Sequence, residues 1–165
     1  MRLFHRIYID ANILIDLFED RGAIGSALQT IVNQHPVDRQ HPLFLTSQLT
    51  FSETLVRPYR DKDVVLARTY LETRFGNYWL QVEDVSFAVL ECASALRAAM
   101  KSLRLPDAIH IATAQLSGCS HLLTNDLGLS SIADLRHPLS GEVVPALDVI
   151  RADVVTLELV LKELT

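Results

Sequence analysis

Two short apolar runs, each stopping at an acid, constrain this chain more than any other feature. Ile7, Tyr8 and Ile9 end at Asp10, and Leu122-Leu123 ends at Thr124, Asn125 and Asp126. Runs this short, β-branched or aromatic or leucine-rich and bounded by polar residues, read as buried strands. Further strands are expected at 43–45, at 78–82 and, last, at 141–146. Between them the apolar residues switch to helical spacing: 11–18, 22–34, 48–57, 61–75, 87–103, 106–117 and 153–164. Thr46 and Ser47 are expected to cap the third helix, which should stop before Pro58, and Ser86 to cap the fifth. The polar turn 33–42, with Pro36 and Pro42, is too short for a domain linker. Strands alternating with helices predict an α/β fold, a mostly parallel sheet of about four to five short strands covered by helices on both faces.

Residues 106–126 show how such a chain delivers chemistry. Pro106 and Asp107 suit the first turn of a helix, where proline is tolerated and the helix dipole favours a negative charge. Ala108, Ile109, Ile111, Ala112, Ala114 and Leu116 make that helix apolar almost all round, so it should be buried, and Gly118 should end it. Asp10 lies where open α/β sheets bind ligands, at the carboxyl end of a buried strand, although a helix N-cap is the alternative role. Asn12, two residues on, either orients Asp10 or satisfies the turn. Glu53 lies four residues after Leu49 and three before Val56, which places it near a core stripe. Its plainer reading is a side chain reaching the helix edge. His110, among apolar neighbours, reads as a hydrogen-bonded structural histidine, and Asp16, Glu19 and Asp20 as solubilising residues of the first helix.

Composition narrows the class. A chain of 165 residues that is 49 % hydrophobic and 21 % charged is one globular domain, 1–165, with its own core. A net charge of −5 gives no general basic footprint, so any nucleic-acid contact must be local or carried by cations. Arg97, Lys101 and Arg104 fall at helical spacing and form either a solvated face or a phosphate track. Cys92 and Cys119 have neither zinc nor disulfide spacing and read as free thiols of a cytoplasmic protein. No signal peptide or membrane-length apolar run is evident.

Asp10, Glu53, Asp107 and Asp126 thus hold privileged positions, and their convergence would be repulsive without a cation. All-oxygen donors without a Cys/His set select Mg²⁺ or Mn²⁺, which suits phosphoryl transfer.

At these residues the chain resembles the PIN-domain nucleases and, in size and layout, the VapC-type toxins of toxin–antitoxin modules. The matching pieces are IYIDANILIDLF, LTSQLTFSETLVRP, LRLPDAIHIATA and HLLTNDLGL, in family order across nearly the whole chain. The resemblance implies a PIN-like fold and a Mg²⁺- or Mn²⁺-dependent endoribonuclease. Asp10, Glu53, Asp107 and Asp126 match its acidic cluster, Asn12 the small polar partner of the first acid, and Thr124 the hydroxyl before the last. It also implies a homodimer silenced by a cognate antitoxin. Asn125, at the same polar stop, joins Asn12 and Thr124 as a candidate to orient an acid or touch substrate. Arg57, Arg60 and Arg97 are candidates for RNA contact. The tail beyond Ala146, with an amphipathic helix at 153–164, is longer than a minimal toxin needs; its apolar face could extend a dimer interface or receive a partner, and is expected to pack on the chain's own core.

Three other classes compete, one of them a structural or regulatory protein whose work is done by the C-terminal helix and whose function would survive neutralising Asp10. A haloacid-dehalogenase-like phosphatase also begins with a strand and an Asp, but needs an acid where Asn12 stands. A catalytically silent PIN-like module that binds RNA or protein would be favoured by missing acids, and all four are present.

Overall fold

The computed structural model describes residues 4–36 and 41–164; part of the expected turn, residues 37–40, lies outside them. The chain runs β1 (Ile7–Ile9), α1 (Ala11–Glu19), α2 (Ala23–Gln34), β2 (Phe44–Ser47), α3 (Gln48–Thr54), α4 (Val56–Asp61), α5 (Val64–Thr73) and β3 (Leu80–Glu83). It continues through α6 (Phe87–Ala99), α7 (Leu105–Leu116), β4 (His121–Thr124), β5 (Leu135–Arg136), β6 (Val143–Val144), β7 (Asp148–Arg151) and α8 (Val154–Lys162). Five strands form one wholly parallel sheet in the order β3-β2-β1-β4-β7, with Tyr8 opposite Leu45 on one side and Leu122 on the other. The chain winds outward from β1 through β2 to β3, then returns to place β4 against β1. The strand order therefore reverses between β1 and β4, and the crevice outside the carboxyl ends of such a pair is where doubly wound sheets hold ligands.

Alternation along the strands builds a core on each face. Ile7, Ile9, Phe44 and Leu123 pack with Ile13, Leu14 and Leu17 of α1, Leu28 and Ile31 of α2, Tyr70 of α5, and Leu157 and Val160 of α8. Tyr8, Leu45 and Leu122 face the opposite way and meet α6 and α7. The C-terminal helix packs on its own core as expected. Gly25 lets α2 close on α1, since a Cβ there would sit 2.2 Å from the Asp20 carbonyl oxygen. Gly118 ends α7 with φ of +70°. Its N–H donates to the Gln115 carbonyl and that of Cys119 to the Ala114 carbonyl, the paired bonds of a Schellman turn.

The structure corrects several expectations. The last strand of the sheet is β7, whereas most of the expected 141–146 strand falls into a loop and the small antiparallel β5–β6 pair. Thr46 and Ser47 belong to β2, and Ser47 makes no side-chain cap. Pro58 does not end the helix. The break falls at Leu55, and Pro58 sits in the first turn of α4, where no intrahelical N–H is missed. Val56, expected on the core side, is 59 % exposed; the buried face of α3 is Thr50, Phe51 and Thr54. The fifth expected helix ends at Ala99, so Lys101 and Arg104 leave its stripe. Asp16, Glu19 and Asp20 are more than solubilising. Asp20 accepts from the backbone N–H groups of Gly22 and Gly25 at 2.9 Å each, Glu19 from the Tyr70 hydroxyl at 2.8 Å, and Asp16 from the Asn125 amide.

Candidate active site

Asp10 combines both roles considered for it. As N-cap of α1 it accepts from the Ile13 N–H at 3.2 Å through Oδ1, and its Oδ2 accepts from the Thr124 hydroxyl across the strand reversal. It is only 6 % exposed. Burial raises its pKa above the ordinary carboxylate value, opposed by the Thr124 hydrogen bond. Thr124, fully buried, also accepts the Asp126 backbone N–H at 2.9 Å, so one hydroxyl links the first acid to the backbone of the last. Thr124→Val should cost about 1–3 kcal/mol by leaving the Asp126 N–H without this acceptor and Asp10 without this donor. Thr124→Ser should cost less than half as much; urea unfolding of the two variants compares them.

Asp126 sits just beyond β4. Its Oδ1 accepts from the Gly128 N–H at 2.8 Å, and Arg151, at the end of β7, donates to the carbonyls of Asp126 and Leu129. The turn that carries this acid is therefore held by a cation from the neighbouring strand. Asp107 occupies the first turn of α7, its side chain 15 % exposed. Glu53 projects from α3 toward α7, where its Oε2 lies 2.9 Å from His110 Nε2. Because a carboxylate only accepts, Nε2 donates to Glu53, and Nδ1 meets the Tyr8 hydroxyl oxygen at 2.7 Å. Ser47 Oγ stands 2.9 Å from the Tyr8 oxygen. His110 is thus a buried hydrogen-bonded histidine, as expected, and it connects the core to one of the acids.

The four acids share one polar cleft of about 310 Å³, lined also by Asn12, Ile15, Arg104 and His110. Arg104 spans its mouth. Its Nε donates to Asp107 Oδ2 at 2.8 Å and its Nη2 to Asp126 Oδ2 at 2.7 Å, and Asp107 is the main reason its pKa rises further. Arg104 also lines a second cleft of about 360 Å³ that shares Asp107 and Asp126 and continues along Met100, Leu103, Gly128 and Ser130.

Asn12 is exposed at the cleft edge, and Asn125 points away from it to Asp16. Arg57, Arg60 and Arg97 do not line the cleft. Arg57 pairs with Glu19 and Asp61, Arg60 lies 3.5 Å from Asp61, and Arg97 donates to the Leu103 carbonyl at 3.3 Å. By sequence spacing Arg104 belongs to a helix stripe, and Arg151 carries no mark of a role. Pro106 was the usable signal, since a helix starting at its side puts Arg104 at the N-cap position, one turn from Asp107. Nothing local in sequence pairs Arg151 with Asp126.

The donor chemistry fits a hard divalent cation: the acids supply oxygen only, and Asp10 is a buried carboxylate held in place by donors. Among the described residues no three His, Cys, Asp or Glu side chains stand close enough to share one ion. Both Asp107 Oδ2 and Asp126 Oδ2 are engaged by Arg104, so the guanidinium would compete with a cation for these two carboxylates.

Comparison with known proteins gives the same frame. The chain is similar to a toxin–antitoxin complex from Klebsiella pneumoniae at 30 % identity, over 73 % of this chain and 86 % of that one, with a TM-score of 0.51. It shares the fold of VapC20 from Mycobacterium tuberculosis, described as a sarcin–ricin loop cleaving toxin (17 % identity, 74 % and 92 % covered, TM-score 0.58). It also shares that of VapBC2 from Rickettsia felis bound to a DNA fragment from its promoter (14 % identity, 87 % and 98 % covered, TM-score 0.59). No match was found among curated proteins. The profile of the PIN domain matches residues 7–135, a span that contains the sheet reversal and all four acids of the cleft, and the chain belongs to the PIN domain family.

Proposed function

We propose that this protein is a Mg²⁺- or Mn²⁺-dependent endoribonuclease of the VapC toxin type. The observation that carries the reading is the convergence of Asp10, Glu53, Asp107 and Asp126 on one cleft at the strand reversal. When bound there, a divalent cation supplies charge neutralisation at the phosphate and a water of lowered pKa for attack. The chain's own residues do the positioning. Thr124 and the Ile13 N–H fix Asp10, His110 aims Glu53, and Arg151 holds the turn of Asp126. Asn12 and Thr124 orient the acids or touch substrate, with Asn125 a more distant contributor through Asp16. Arg57, Arg60 and Arg97, outside the cleft, are proposed to contact RNA away from the scissile phosphate, where phosphate contacts set register.

The similarity to toxin–antitoxin complexes supports a cognate antitoxin as partner, and a homodimer and a cytoplasmic location belong to the same proposal. No helix among the described residues is long and apolar enough to cross a membrane. Burial pushes the Cys119 thiol up to about 12 and raises that of Cys92, which keeps both as thiols at neutral pH.

Incubation with total RNA tests the activity. Discrete fragments should appear with Mg²⁺ or Mn²⁺, fall by at least about a hundredfold in EDTA, and return when the cation is restored. Cleavage that is indifferent to EDTA, or none from folded protein on ribosomal, transfer and messenger RNA with cation present, overturns the reading.

A further inference from the structure

Arg104 stands in an unusual relation to the acids it touches. It occupies the N-cap position of α7, makes no capping bond through its side chain, and instead reaches across to β4's final turn. Its side chain is 70 % exposed even though it holds two carboxylates, so it can leave them at little packing cost. Both bonds end on Oδ2 atoms, and Asp126 Oδ1 is already taken by the Gly128 N–H. A cation held by Asp107 and Asp126 would meet the Arg104 charge beside both carboxylates, with one oxygen of each already accepting from the guanidinium. Pairing with Arg104 and binding of a divalent ion would compete for the same two carboxylates, in charge and in lone pairs.

Displacement would not send the guanidinium away from the chemistry. Arg104 borders both clefts, on the line where they meet, so its five donors stay at the rim over which an RNA strand would pass. Guanidinium matches the paired oxygens of a phosphodiester as it matches those of a carboxylate. Among the described arginines, Arg104 is the one that lines the acidic cleft.

Resting on the nuclease reading above, we propose that Arg104 is an exchangeable counter-ion: it holds Asp107 and Asp126 together until a divalent cation takes their oxygens, and then binds a phosphate of the RNA. The acids are in this way kept paired until cation arrives, and the same side chain is released as the cation enters. Cation loading and phosphate binding become coupled through one residue.

Two readouts separate the halves of the proposal. Mn²⁺ binding, followed calorimetrically without RNA on wild type, Arg104→Gln, Arg104→Lys and Asp10→Asn, reads the competition. Arg104→Gln should bind Mn²⁺ about three- to tenfold more tightly, since it lacks the competing charge, with Arg104→Lys between it and wild type. Cleavage then reads the phosphate contact. Despite tighter Mn²⁺, Arg104→Gln should raise KM, and its slope of log KM against log salt should fall by about 0.7, the loss of one single-strand phosphate contact. Arg104→Lys should recover most of that slope. Equal or weaker Mn²⁺ binding by Arg104→Gln, with wild-type binding intact and lost in Asp10→Asn, overturns the role of Arg104 and leaves the nuclease reading standing. An unchanged salt slope overturns its phosphate contact. Absence of Mn²⁺ binding from folded wild type and Arg104→Gln alike removes the nuclease reading and this inference with it.

Discussion

Asp10→Asn should lower RNA cleavage by more than about a hundredfold while raising the melting temperature. The loss follows from position. Asp10 is the innermost of the four acids, and groups that merely orient metal ligands are worth about ten- to a hundredfold, so removal of the direct ligand proposed above should exceed that range. The gain follows from burial. Folding places a carboxylate that is 6 % exposed beside other acids, and its pKa is raised above the ordinary value, so its ionised form is disfavoured in the folded state. Asparagine removes the charge and keeps one oxygen to accept from the Ile13 N–H as an N-cap, while its amide NH2 takes the place of Oδ2 and donates to the Thr124 hydroxyl oxygen. A gain of about 1 kcal/mol is the usual return for neutralising a strained functional group, or about 2–4 °C for a domain of this size.

The pH dependence has a definite sign. The folded pKa of Asp10 lies above its unfolded value, so its ionisation opposes folding. That penalty is fully present above the folded pKa, shrinks as pH falls through it, and is gone below the unfolded value near 3.9. The stability advantage of Asp10→Asn over wild type should therefore be largest at neutral pH and vanish toward about pH 4. Thermal melts from pH 7 to 4 in EDTA measure it. An Asp10→Asn variant that melts below wild type at neutral pH, or whose advantage grows on acidification, would show that Asp10 is stabilised as an anion. Added Mn²⁺ should reverse the order at neutral pH, since a ligand that binds only the folded wild type stabilises it by mass action.

What the sequence discloses here is what local pattern encodes. The runs ending at Asp10 and Asp126 are legible because a buried strand must be apolar and must stop where the chain turns, so an acid at the stop is conspicuous. Parallel pairing then follows from the helices between strands, and the switch between β1 and β4 brings the two acids together. Leu49 and Val56 put Glu53 near the core in sequence, and although Val56 faces solvent, the neighbouring Thr50, Phe51 and Thr54 turn the same helix inward. The pairings that organise the site are a different matter. Thr124 with Asp10, His110 with Glu53 and Arg151 with Asp126 join residues far apart in sequence, and no periodicity records them. The last strand is illegible in sequence for a physical reason too. The 141–146 segment carries Val143-Val144 beside a proline, whereas β7, as Asp148–Arg151, is an edge strand only half-buried and reads as polar.

The largest stability effect should come from the other end of the chain, beyond the residues matched by the family. Leu157→Ala in α8 should destabilise the fold by about 2–4 kcal/mol. Leu157 is 1 % exposed and packs, with Val160, in the same core as Ile7, Ile9 and Leu28, so truncation opens a cavity in the layer that supports β1. A loss of that size lowers the melting temperature of a domain of this length by on the order of 5–10 °C. Val155 on the same helix is 68 % exposed, and Val155→Ala should stay within about 0.5 kcal/mol. The pair distinguishes a helix that completes this core from one held out for a partner. In the second case Leu157→Ala would leave the isolated protein's unfolding midpoint unchanged. In the first, cleavage per folded molecule well below the melting temperature should stay near wild type, because α8 contributes no side chain to the acidic cleft and acts on it only by keeping β1 in place.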